Sequence, residues 1–162
     1  MNGDFIVISE KDMVKGKILA SVAAVIEGQE NKILLIWEGD TPYHGQWVGP
    51  RGYVKTEETV QEAVVREDRE ETGLEVIPAR LIEIYDDFIA GAEDQPLHHI
   101  IVGYIARIVG REIVVTQEAM EYAWINMVEV LKSDRLPDVF KIIFDYYNKL
   151  GQRHFFDFLK VR

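Results

Sequence analysis

Glu67, Glu70 and Glu71 are the residues whose type and spacing could do chemistry in this chain. On a helix, positions i, i+3 and i+4 share one face, so these carboxylates would stand side by side. Like charges held in that way cost an isolated helix about 0.2–0.5 kcal/mol per pair, so something should offset the repulsion. Hard divalent cations do so naturally, because Mg²⁺ and Mn²⁺ prefer oxygen donors and bridge carboxylates to substrate phosphates. A solvated acidic face is the ordinary meaning of three neighbouring glutamates, and the surrounding residues decide between the two.

The helix that must carry them is well marked. Thr59 is a good N-cap and Glu62 completes a capping box, which predicts a helix from Val60 to about Thr72. Gly73 follows as a helix stop, since glycine accepts the left-handed conformation that closes many helices.

Across this region Gly52, Glu58, Arg66, Glu67, Glu70, Glu71, Gly73 and Leu74 read G-x5-E-x7-R-E-x2-E-E-x-G-L. This closely resembles the Nudix box, the loop-helix-loop signature of the Nudix hydrolases. The resemblance implies an α/β fold of the family's α/β/α sandwich type, with a mixed sheet between helices. It also implies that Glu67, Glu70 and Glu71 hold Mg²⁺ or Mn²⁺, that Glu58 supports the site from the loop, and that Arg66 orients the carboxylates by charge-assisted hydrogen bonds. Gly52 and Gly73 become backbone devices for a close approach and a helix stop. The implied reaction is metal-dependent hydrolysis of a pyrophosphate linkage in a nucleoside diphosphate derivative. The resemblance makes Glu67 a candidate base, and some family members draw the base from a downstream loop. Glu118 and Glu121 are the candidates there, and Glu118, six residues before Trp124, is preferred.

Two positions depart from the pattern. The family usually carries an aliphatic residue where this chain has Asp68, so either that carboxylate finds a basic partner or a metal-linked role, or the helix is locally more exposed, with structural compensation the favoured expectation. The usual Pro-Gly-Gly lead-in is Pro50-Arg51-Gly52, and Arg51 is a candidate either for a substrate phosphate or for a surface salt bridge. Substrate marks of some subgroups are missing, including the proline about 16 residues beyond the box of ADP-ribose hydrolases, where Ala90 stands. A nucleoside triphosphate or related nucleotide is the default substrate. The alternatives are a nucleotide-sugar or ADP-ribose pyrophosphatase, an RNA 5′-end pyrophosphohydrolase and a non-catalytic nucleotide-binding regulator.

The elements around the helix follow from pattern. Ile18 to Glu27 and Lys32 to Trp37 are apolar runs separated by Gly28-Gln29-Glu30-Asn31, which predicts a hairpin. Glu38 to Gly52 reads as loop with at most a short strand at Trp47 and Val48. Leu74 to Tyr85 and Leu97 to Ile108 read as strands, joined by an exposed loop from Asp86 to Pro96 that carries Phe88, a candidate substrate contact. Arg111 to Thr116 and Tyr122 to Asn126 read as shorter strands. Alternation puts one of His98 and His99 on each face. Val139, Ile142, Ile143, Tyr146 and Leu150 predict an amphipathic helix over Pro137 to Leu150.

Composition bounds the rest. The 162 residues fit one domain, with an N-terminal extension over 1–16 and an aromatic tail over 151–162. Phe155, Phe156 and Phe158 in that tail call for cover by the domain or by a second subunit, so a homodimer stays open. A net charge of −10 argues against bulk nucleic acid and anionic membranes, leaving a small nucleotide as the expected partner. Cysteine is absent, which removes thiolate chemistry, and with no signal segment expected the chain is assigned to the cytoplasm.

Overall fold

The computed structural model describes residues 17–38, 43–89, 97–114 and 119–159. β1 (Lys17–Ile26) and β2 (Lys32–Glu38) are each apolar over several consecutive residues, and Val22 to Ile26 and Ile33 to Ile36 are buried without a break. A strand buried on both faces needs cover above and below rather than one solvated side. The two therefore do not continue as the expected hairpin. The turn forms, with Gly28 N–H donating to the Lys32 carbonyl at 2.8 Å, but only the bridge Glu27↔Ile33 joins the strands before they part into separate sheets.

β1 enters a sheet in the order β4-β1-β6-β5, with β4 at Arg51–Tyr53, β5 at Glu75–Ile89 and β6 at Leu97–Gly110. It pairs parallel with β6 and antiparallel with β4, which makes this sheet mixed. β2 enters a second sheet in the order β3-β2-β7, with β3 at Trp47–Val48 and β7 at Ala119–Asn126. β4 was not expected. It is three residues long and carries a glycine, too short for alternation to register.

Alternation along β1 divides the core. Val22, Ala24 and Ile26 pack with Leu34, Val76 and Ala106 beneath Ala63 and Val64 of α1 (Val60–Thr72). Ala23 and Val25, with Ile101 and Ile105, pack against Phe140, Ile143 and Phe144 of α3 (Asp138–Leu159). A short α2 (Met127–Val130) joins β7 to this helix. Sheet between helices is the layering anticipated, but the buried stripe of α3 is rotated from the expected one. Ile142 and Tyr146 are exposed, because the bulky Phe140 and Phe144, one turn apart, take the core side together with Ile143. The side chains of Phe155, Phe156 and Phe158 lie outside the described part of this helix.

Two other expectations change. Asp86, Asp87 and Phe88 are strand, paired with Ile100, His99 and His98, so the connection begins later than read; 90–96 lie outside the described residues. β5 is the sheet edge, where charged residues are tolerated on a long strand. Residues 111–114 are not strand: Arg111 takes a positive φ of 64°, and Val114 N–H instead donates to the Thr72 carbonyl at the end of α1. Among the described residues no helix is long and apolar enough to cross a membrane.

Candidate active site

The ends of α1 are built as the sequence indicated. Thr59 N–H donates to Glu62 Oε2 at 2.7 Å and Glu62 N–H donates to Thr59 Oγ1 at 3.2 Å, the reciprocal pair of a capping box. Gly73 closes the helix at φ 75°, and a Cβ there would overlap Val114.

The carboxylate face of α1 lies against β4. Glu67 and Glu71 are buried, and the Glu70 side chain is half-exposed. Gly52 is needed for this approach, because a Cβ at that position would fall on the Glu67 carboxyl group. Arg66 holds the assembly together. Its Nε and Nη2 donate to Glu58 at 2.9 and 2.5 Å, its Nη1 donates to Glu67 at 2.5 Å and to Glu70 at 3.0 Å, and its Nη2 also reaches the Tyr53 carbonyl at 2.8 Å. Glu58 further accepts the Lys55 N–H at 2.6 Å. Bonding to Arg66, then to Lys55, lowers the Glu58 carboxyl to about 2.

β4 explains why the helix side chains converge here. Ala24 N–H bonds to the Pro50 carbonyl and Val54 N–H to the Ala20 carbonyl, so Arg51 and Tyr53 fall at positions whose main-chain groups turn away from β1. An edge strand leaves such groups to be satisfied elsewhere. Glu71 Oε2 accepts the Arg51 N–H at 2.8 Å and Arg66 donates to the Tyr53 carbonyl, so α1 side chains do the work of a missing neighbouring strand. Burial pushes the Glu71 carboxyl well up, against the pull of the Arg51 N–H, and burial also raises Glu67 against the pull of Arg66.

The remaining expected residues are dispersed. Arg51 is not in a surface salt bridge: its Nη2 stands 3.1 Å from the buried Glu38 carboxylate, and its guanidinium lies 4.4 Å from the Tyr43 ring centroid. Phe88 is on β5, at the sheet edge opposite β4, largely exposed and stacked on His98 at 4.6 Å. His98 reaches Asp86 at 2.6 Å on that face, whereas His99 reaches Ser21 at 2.8 Å on the other, in keeping with alternation. Glu118 lies outside the described residues, and Glu121 is exposed on β7, opposite Trp37 in the second sheet.

Asp68 differs from expectation. It is fully buried on the core side of α1, and neither carboxylate oxygen has a hydrogen-bond partner, so no basic residue compensates it. Burial, reinforced by nearby Glu67, pushes its carboxyl well above the usual range. Glu38 escaped the sequence reading because it looks like the polar end of an apolar run; only the fold brings it to Arg51.

Chemically the arrangement offers oxygen donors only, in keeping with a hard cation. As the side chains stand, the described residues contain no group of three or more acidic, histidine or cysteine side chains placed to hold one. Arg66 takes Glu67 and Glu70, and the Arg51 N–H takes Glu71.

The chain is 33% identical over 144 residues to an ADP-ribose pyrophosphatase of Methanocaldococcus jannaschii, covering 86% of this chain and 82% of that one. The fold is shared with a MutT protein from Methanosarcina mazei Go1, at a TM-score of 0.69 and 22% identity over 86% of this chain and 99% of the other. It is also shared with the NUDIX domain of Shewanella oneidensis NrtR, solved with ADP ribose, at a TM-score of 0.65 and 16% identity over 88% and 92% of the two chains. Since the model of the NUDIX domain matches residues 17–146, most of its length, the chain belongs to the Nudix hydrolase family.

Proposed function

We propose that this chain hydrolyses the pyrophosphate linkage of a nucleoside diphosphate derivative, with Mg²⁺ or Mn²⁺ held by Glu67, Glu70 and Glu71. The observation that carries the reading is the carboxylate face of α1, gathered by Arg66 over the edge of β4. Phosphoric anhydrides resist attack because their charged oxygens repel a nucleophile. A bound divalent cation neutralises that charge and lowers the pKa of coordinated water. Arg66 would orient Glu67 and Glu70 through one oxygen of each, while Glu71 stays oriented by the Arg51 N–H. Glu67, buried against Gly52 and held by Arg66, is the first candidate for the proton acceptor, and Glu118 is the second.

Among substrates, ADP-ribose stands first, supported by the 33% identical archaeal relative that carries that activity in its name. A nucleoside triphosphate is the second reading, supported by the missing proline beyond the box, where this chain has Ala90. The purified protein, with each metal, should be assayed against ADP-ribose, nucleotide sugars, nucleoside triphosphates and capped RNA. Release of AMP and ribose phosphate from ADP-ribose is the expected result. Tight nucleotide binding with no turnover of any substrate would instead mark a regulator.

A further inference from the structure

We propose that Glu38, which lies outside the Nudix box, is a positioning residue for Glu71 and acts through Arg51. The inference rests on the reading of Glu71 as a metal ligand. Glu38 is the last residue of β2, and its main chain is fixed from both sides: its N–H donates to the Gln46 carbonyl at 3.1 Å, and its carbonyl accepts the Gly45 N–H at 2.9 Å. Its side chain is only 8% exposed. A carboxylate so buried is costly unless it is paired, and Arg51 Nη2 at 3.1 Å is its ion-pair partner.

The pair joins elements that share no ladder. β2 belongs to one sheet and β4 to the other, so Glu38–Arg51 is a tie between sheets at the strand that faces the carboxylates. β4 has few bonds of its own, being three residues long and, among the described residues, paired only with β1. Tyr43 backs the guanidinium with its ring face, and Tyr43 in turn packs edge-on to Phe140 at 6.1 Å. A planar guanidinium can be stacked and hydrogen-bonded at once, which a lysine ammonium cannot match.

Arg51 thus has two jobs at one position. Its side chain is gripped by Glu38, and its main-chain N–H holds Glu71 Oε2 at 2.8 Å. Releasing the side chain lets the short edge strand shift, and Glu71 loses one donor that orients its carboxylate. Partners one step removed from a metal typically change its affinity by about 10- to 100-fold.

The test is Mn²⁺ binding to the full chain without substrate, followed by calorimetry, alongside amide hydrogen exchange over residues 49–54. Two variants are compared with the parent: Glu38→Gln, and Glu38→Met combined with Arg51→Met, which removes both charges of the pair. Asp145→Asn, which removes an exposed pair with Lys149 on α3, is the control. The expected result is Mn²⁺ binding weakened about 10-fold in both variants and unchanged in the control, with faster exchange across β4. Affinity within about two-fold of the parent in the folded double variant overturns the proposal. If the double variant does not fold, Glu38→Gln is judged by the same criterion. If the parent itself binds no Mn²⁺, the metal reading fails, and exchange over 49–54 decides for the tie: faster in Glu38→Gln supports it, unchanged overturns it.

Discussion

Arg66 Nη2 donates to the main-chain carbonyl of Tyr53 at 2.8 Å, so the residue that gathers the carboxylates also fastens their helix to the edge of the sheet. The same guanidinium reaches Glu58, Glu67 and Glu70, and it achieves this because its donors are arranged as a rigid fork.

Arg66→Lys should therefore behave as a severe change despite keeping the charge. A lysine ammonium can serve one or two of these acceptors but cannot span Glu58, Glu67, Glu70 and the Tyr53 carbonyl. Metal affinity should fall by about 10- to 100-fold, with a matching loss of kcat/KM at limiting Mg²⁺. Steady-state kinetics across a Mg²⁺ titration read both, and parental values would remove Arg66 from its organising role.

Gly52→Ala should disable the site while leaving the fold intact. Gly52 has no positive φ, so alanine carries no backbone penalty there, and the cost arises from the new Cβ overlapping the Glu67 carboxyl group. Glu67 must swing away from Arg66. Turnover should drop by at least about 10², the scale of a lost proton acceptor, with circular dichroism unchanged. Full activity would show that Glu67 works from another rotamer.

Glu70→Gln isolates the half-exposed member of the trio. The amide keeps the shape and one acceptor oxygen but loses the charge that a hard cation prefers. Both metal affinity and turnover should fall, and the thermal midpoint should barely move because the side chain is 41% exposed. Unchanged activity at limiting and saturating Mg²⁺ would take Glu70 out of the site.

What could be read from sequence was what is decided locally. The capping box, Gly73 and the limits of α1 depend on residues three or four apart, so Thr59 and Glu62 announce themselves. Strand pairing is not local. Nothing in Ile18 to Trp37 records that β1 would choose β6 and β4 over β2, because a doubly buried strand looks the same in either sheet. β4 was invisible for a related reason: its outward groups are satisfied by Glu71 and Arg66 side chains rather than by a strand. Glu38 acquires meaning only when the fold sets it beside Arg51.

The proton acceptor is decided by two parallel substitutions. Glu118→Gln should lower kcat by about 10² or more if the downstream segment supplies the base, whereas Glu121→Gln should have the smaller effect. Glu121 is exposed on β7 and paired across from Trp37 in the second sheet. Matched metal titrations separate a base from a ligand. Near-parental rates for both would leave Glu67 as the acceptor.

Asp68 makes the sharpest stability prediction, because its carboxyl is fully buried with neither oxygen hydrogen-bonded. Its folded-state pKa is raised well above the ordinary 3.8, by burial first and by Glu67 second. The folded protein therefore keeps a proton that the unfolded chain gives up, and by linkage stability falls as pH rises above the unfolded value. At low pH, where both states are protonated, this penalty disappears. Asp68→Val restores an aliphatic residue on the core side of α1, beside Val64 and Ala63. It should raise the unfolding free energy at neutral pH by about 1–3 kcal/mol, the range for relieving a buried unsatisfied polar group. The gain should shrink steadily on acidification, which a mere packing improvement would not do. Urea unfolding of parent and variant between neutral and mildly acidic pH measures the difference directly, and a gain independent of pH would show that Asp68 is not the titrating group.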